Sequence, residues 1–180
     1  MHTIEAIGRE KGLDPEVIIQ AMEEAYAAGN VIISCEAAAY HARDCRDHPE
    51  LFSDEVRAAL SFGHDYSAAL FLQFQQLRRL VCRAVDDALA GFDAVIMPTA
   101  PVATTPIDDT PKAHGPLRYR NCIPFDLTGH PALSLPCGFT TSGLPIGLQI
   151  VGRSLDEAGV LRVGAAYEAA TDWHKRRPPI

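Results

Sequence analysis

The sequence predicts an α/β fold in which a small sheet is covered by helices on both sides. Three observations carry that expectation. Apolar residues recur at helical spacing through the first half and again near the C-terminus. Asp93 to Met97 (DAVIM) is a short apolar run of the kind buried on both faces of a helix-covered sheet. Ala132 to Val151 reads as two alternating strands around a turn. A sheet of about three strands beside so much helix implies that neighbouring strands belong elsewhere.

The elements follow in order. Asp14 can cap a helix with Pro15 at its first position, and Val17, Ile18, Met22 and Ala25 repeat at helical spacing before Gly29 stops the run. Val31 to Ile33 is a short apolar piece, and Ser34 with Glu36 opens a second helix through about Arg46, ended by Pro49. Ser53 caps a third helix whose first turn carries Asp54 and Glu55, favoured there by the amide dipoles, and Gly63 closes it. From Ser67 to Ala90, Leu70, Phe74, Leu77, Val81, Val85 and Leu89 mark one long amphipathic helix that ends at Gly91. The DAVIM strand then terminates at Pro98. Pro98 to Arg120 is rich in Pro, Thr, Asp and Gly, a long loop that is either mobile or part of a binding wall.

The hairpin is the most informative stretch. In Ala132 to Pro136, Leu133 and Leu135 share a face. Thr140 to Gly143 supplies turn chemistry, and Pro145 to Val151 returns with Ile146, Leu148 and Ile150 on one side. Gly147, Gln149 and Val151 take the other side, where a strand glycine admits a close neighbour. Gln149, if buried, needs hydrogen-bond partners, and a satisfied core amide is the expected role. Asp156 begins a last helix containing Val160, Leu161, Val163, Gly164 and Tyr167, before a polar tail.

Composition excludes several classes. A hydrophobic content of 47% over 180 residues suits one globular core, and a net charge of -7 with pI near 5.4 argues against a nucleic-acid surface. No apolar run is long enough to span a membrane, and the charged N-terminus does not read as a signal peptide, so a cytoplasmic location is expected. Five scattered cysteines without a C-x-x-C pair fit reduced thiols. Among them Cys137, after Pro136, is read as a small buried hydrophobe rather than a nucleophile.

Candidate chemistry is thin. Asp126, His130 and Ser134 are spaced by four, but Gly129 and Pro131 break any helix that would align them, so no triad is expected. His41, Cys45 and His48 fall near one helical face and offer zinc-type donors, yet Asp44 points off that face and Pro49 frays the end, so no metal is expected. No nucleophile elbow and no nucleotide-binding glycine pattern occurs, and His64, His114 and His174 default to surface roles.

Ordered blocks then carry a resemblance. They comprise Glu36 to His41 (EAAAYH), Pro49 to Phe52 (PELF), Val56-Arg57, Gly63 and Gly91 to Thr99 (GFDAVIMPT). Pro124 to Gly129 (PFDLTG) follows, continuing through Gly152-Arg153 to Asp156-Glu157. Together they resemble the C-terminal part of the amidase-signature hydrolases, with the match from about Ser34 to the end. Residues 1–33 then read as a helical lead-in and residues 34–180 as the C-terminal part of the domain. The resemblance implies a partial amidase-signature fold, a mixed sheet wrapped by helices. It also implies hydrolysis of carboxylic amides through an acyl-enzyme, without metal or organic cofactor.

In that family a neutral lysine deprotonates a bridging serine, which activates a nucleophilic serine, while backbone amides hold the oxyanion. The seven serines here include no adjacent pair, and Lys11, Lys112 and Lys175 match no catalytic position, so the chain is expected to be inactive alone. The resemblance leaves it one wall of the acyl pocket, with Pro98, Thr99, Ile123 and Phe125 as the wall candidates against a plain core or loop role. Small-molecule amides are the implied substrates of the complete enzyme. A complementary N-terminal amidase fragment is the implied partner, in an amidase or amidotransferase completed in trans. Ala58-Ala59 stands where glutamine-using relatives carry basic residues before the glycine matching Gly63, which points to a general amidase. Open strand edges in such a part predict aggregation or a homo-oligomer.

Overall fold

Helix α1 runs unbroken from Pro15 to Asp47 in the computed structural model, which describes residues 15–104 and 119–177, residues 15–22 as backbone alone. The expected stop at Gly29, the apolar piece at Val31 and a separate helix from Ser34 are corrected to one helix. Ala25, Ala28, Val31, Ile32 and Ala38 are all buried along it. Burying that stripe outweighs the roughly 1 kcal/mol that an interior glycine costs. The Asp14 cap lies outside the described residues.

After a 3-10 turn at Pro49–Leu51, helix α2 spans Asp54–Asp65 and packs on α1. Its start is local chemistry, because the Val56 amide donates to Ser53 Oγ at 3.4 Å. Its own backbone amide, and then the Ser53 side chain, hold the Glu55 carboxyl below its ordinary pKa. Arg57 donates to the Pro49 and Phe52 carbonyls at 2.9 and 3.0 Å and pairs with Asp54, tying the turn to the helix. Gly63, expected to close α2, lies inside it. A Cβ there would overlap the Ser34 carbonyl oxygen and sit 2.6 Å from Ala38 Cβ, so this glycine sets how closely α1 and α2 approach.

Helix α3, Ala68–Leu89, is capped by Ser67, whose Oγ accepts from the Leu70 amide at 3.2 Å, and it gives way to Gly91 at φ +89°. The chain divides into two compact units, Met1–Cys82 and Arg83–Ile180, with α3 running across the division.

The second unit is built on three strands, β1 (Ala94–Pro98), β2 (Ala132–Phe139) and β3 (Pro145–Gly152), in the order β1-β3-β2. The α/β class holds, and among the described residues every pairing in the sheet is antiparallel. Thr99 N donates to Gly147 O, and Gly152 N donates to Pro131 O, both at 2.9 Å. With the register, these bonds fix an alternation. Gly147, Gln149 and Val151 of β3 bond to β1, while Leu148, Ile150 and Gly152 bond to β2. Gly143, at φ +83°, makes the turn between β2 and β3.

Short helix α4, Ile123–Thr128, precedes β2 and ends at Gly129 in the left-handed region, φ +75°. Helix α5, Glu157–Ala170, starts where Asp156 Oδ1 accepts from the Gly159 amide at 2.9 Å, as the sequence indicated. It packs on β2 and β3, with Gly164 against Leu133 and Val160 against Gly152. Beyond it, Trp173 meets Phe139 at 6.0 Å between ring centroids, and the Arg176 guanidinium lies 4.4 Å over the Phe139 ring. The DAVIM strand is corrected on one count: Ile96 is 59% exposed, so β1 is not buried on both faces.

Gly63→Ala is expected to lower stability by about 2 kcal/mol, because overlap with the Ser34 backbone outweighs the gain in helix propensity. Thermal or urea denaturation checks this. A variant as stable as the parent would mean that α1 and α2 do not meet at Gly63.

Candidate functional site

The side chains of Gly147, Gln149 and Val151 project from the face of the sheet that alternates with the α5-covered one. A polar cluster gathers there, and it begins with Gln149, 3% exposed, whose Nε2 donates to the Asn121 carbonyl at 3.0 Å. The sequence's demand for a partner is met by backbone 28 residues away. Asn121 in turn donates through Nδ2 to the Pro98 carbonyl at 2.8 Å. One residue on, Cys122 Sγ lies 3.4 Å from the Thr99 carbonyl. Thr99 Oγ1 and Ser134 Oγ are 2.6 Å apart across the sheet. Gly147 makes room for that pair, since a Cβ on it would stand 2.7 Å from Thr99 Oγ1 and 3.0 Å from Ser134 Oγ.

These bonds fasten the end of β1 to the segment that leads into α4. Pro98 and Thr99 belong to the strand end, Pro98 exposed and Thr99 half-buried. Ile123, half-buried, opens α4, and Phe125 is half-buried in the same helix. Two of the four wall candidates are thus linked to the chain immediately before the third, while Phe125 follows two residues later. Asn121 and Cys122, which make the links, were not singled out from sequence. Residues 105–118 of the loop lie outside the described residues.

Burial pushes the Cys122 thiol above its ordinary pKa, and the Asp126 carboxylate adds to the effect. Both effects favour the neutral thiol over the thiolate.

The other candidates separate. His130 has a side chain only 1% exposed, with Nδ1 at 2.8 Å from Thr128 Oγ1 and Nε2 at 3.1 Å from Asp86 Oδ1. Ser134 bonds instead to Thr99, and Asp126 is exposed on α4, so these three form no hydrogen-bonded relay. In the first unit His41 packs edge-on against Phe52 at 5.6 Å, and His48 pairs with Glu50 at 3.4 Å. Among the described residues no three His, Cys, Asp or Glu side chains gather as a metal-holding group. A cavity of about 350 Å³ between α1 and α2 is lined by His41, Cys45, Arg57, Leu60 and His64 among others, which gives His64 a lining role beyond plain surface. Lys11, Lys112 and His114 lie outside the described residues.

The amidase family pattern matches residues 10–161. The chain belongs to the amidase family. Over 138 residues, this amidase-family chain is 48% identical to the A component of a glutamyl-tRNA(Gln) amidotransferase from Synechococcus sp. strain JA-2-3B'a(2-13), a match covering 72% of the chain and 26% of the relative. Over 174 residues it is 37% identical to an amidase from Pseudomonas putida, covering 92% of the chain and 37% of the relative. A solved amidase structure superimposes with TM-score 0.72 at 29% identity, covering 83% of the chain and 36% of that structure. The chain therefore spans only about a quarter to two fifths of the relatives it matches. Among the described residues no helix is long and apolar enough to cross a membrane.

Two measurements check the cluster. Asn121→Ala, which removes the bond to Pro98, is expected to cost about 1 kcal/mol in chemical denaturation. Alkylation of Cys122, followed by peptide mapping against pH, is expected to set in at higher pH than for an unstructured cysteine. Because the pKa is raised, the thiol form persists through the range in which a free thiol ionises, and Asp126→Asn should move the curve partly back. An alkylation curve like that of a free thiol would contradict the burial of Cys122.

Proposed function

We propose that this chain supplies one wall of the acyl pocket of an amidase. The nucleophilic serine, its bridging serine, its lysine base and its oxyanion hole come from the part of the amidase fold outside these 180 residues. Pro98, Thr99, Ile123 and Phe125 form the wall, against which the acyl group of a small carboxylic amide rests. The nucleophile adds to the amide carbonyl, the amine or ammonia leaves with a proton, and water releases the acid from the acyl-enzyme. The observation that carries the reading is the pair of links from Asn121 to Pro98 and from Cys122 to Thr99, which hold the strand end beside the start of α4. A wall must be fixed to select a substrate, and these bonds supply the fixing.

A reading as part of a glutamine-using amidotransferase is favoured by the 48% identity to the Synechococcus amidotransferase component. Ala58-Ala59 ahead of Gly63, where the family resemblance calls for basic residues in such enzymes, supports the general amidase instead. In either case the chain works with a complementary amidase part.

The purified chain is expected to release no measurable ammonia or amine from simple aryl or alkyl amides. Robust turnover abolished by replacing a single serine, Ser134 for instance, would place the nucleophile within this chain and sink the proposal.

A further inference from the structure

The cavity between α1 and α2 lies wholly within the first unit and shares no residue with the Asn121 cluster. Its volume of about 350 Å³ falls in the range of roughly 300–1,000 Å³ that small-molecule sites occupy. Two chemistries line it. Ala38 and Leu60, both buried, and Ala42 give an apolar part. Arg46 and Arg57 bring permanent positive charge, His41 and His64 bring imidazoles, and no carboxylate is among the lining side chains.

The two arginines differ in what they can offer. Arg57 is held by the Pro49 and Phe52 carbonyls and by Asp54, so it contributes a fixed charge. Arg46 meets Asp47 through Nε at 3.4 Å with its side chain 74% exposed, a weak pairing that a carboxylate making two parallel bonds can displace. His41 adds an independent sign of a ligand. Its Nδ1 is buried without a hydrogen-bond partner, and among the described residues only His174 has another such atom. The ring stands edge-on to Tyr40 at 4.8 Å and to Phe52 at 5.6 Å, which fixes it on the cavity wall. A buried polar atom in that position is completed by a polar ligand.

We propose that this cavity binds a small organic carboxylate, its carboxyl group held by Arg46 and the His41 and His64 imidazoles and its apolar body set against Ala38, Ala42 and Leu60. A bare inorganic anion would leave the apolar part uncovered, and a neutral apolar molecule would leave His41 and Arg46 without an acceptor. Carboxylic acids are also what amide hydrolysis releases, but this site stands whether or not Pro98, Thr99, Ile123 and Phe125 form a pocket wall.

The test titrates the purified chain with benzoate, using benzamide and inorganic phosphate as controls. Calorimetry reads affinity, and proton NMR of the histidine rings reads location, with His41 and His64 assigned by the signals lost in His41→Gln and His64→Gln. Benzoate is expected to bind one to one and to move the His41 and His64 signals while leaving that of His130 in place. Benzamide, which lacks the charge, and phosphate, which lacks the apolar body, are each expected to bind about tenfold more weakly or worse. Arg46→Gln and His64→Gln alter exposed side chains, so each should melt close to the wild type yet weaken benzoate about tenfold. Ala42→Phe fills the cavity from an exposed position on α1 and is expected to abolish binding. No benzoate binding, or binding that Ala42→Phe leaves intact, overturns the inference. Phosphate bound as tightly as benzoate makes this a simple anion site, and benzamide bound as tightly makes it an apolar hole; either overturns the carboxylate. Should Ala42→Phe fail to fold, the wild-type ring signals still decide, since His41 and His64 signals that stay in place under saturating benzoate also overturn the site.

Discussion

The second unit hangs on β3, because each of its residues is spoken for twice. Its backbone alternates between β1 and β2, and its side chains alternate between the face under α5 and the face under the Asn121 cluster. Ile150 and Val151, adjacent and on opposite faces, have no exposure at all. A slip of one residue would exchange the two faces, putting Gln149 under α5 and Ile150 against the Asn121 carbonyl. The buried amide of Gln149 therefore acts on register as much as on stability, since only one alignment satisfies it.

Glycines do comparable work by leaving space. Gly63 lets two helices approach, Gly147 lets two hydroxyls meet across the sheet, and Gly164 with Gly152 seats α5. The first unit depends on such an approach for its packing and the second for its polar cluster. In each case the absent side chain is replaced by a named neighbour, so the constraint is steric rather than conformational.

Much of this was legible, and the division follows the range of the interactions. The caps at Ser53 and Asp156, the end of α3 at Gly91 and the hairpin turn at Gly143 are decided within a few residues, and each stands where the sequence put it. Gly29 misled because its helix buries Ala25, Ala28, Val31 and Ile32 around it, a tertiary gain that local propensity does not contain. Helix α4 was missed because six residues beginning Ile-Pro carry no readable period. Ordered motifs identified the family, and Gln149 announced that it needed a partner. Its partner was not legible, because a backbone carbonyl leaves no signature in sequence. Asn121 passed unnoticed for the same reason, as one of its two links is made by its main chain.

The position of β3 also sets a timetable for exchange with solvent. The amides of β3 alternate between its two neighbours, so deuterium enters at Gln149 and Val151 when β1 parts from β3 and at Leu148, Ile150 and Gly152 when β2 does. On β1 it is Val95 and Met97 that turn their amides to β3, and the amides of Ala94 and Ile96 face away from it. Exchange at successive amides of one strand thus reports separately on the parting of β1 and of β2 from β3.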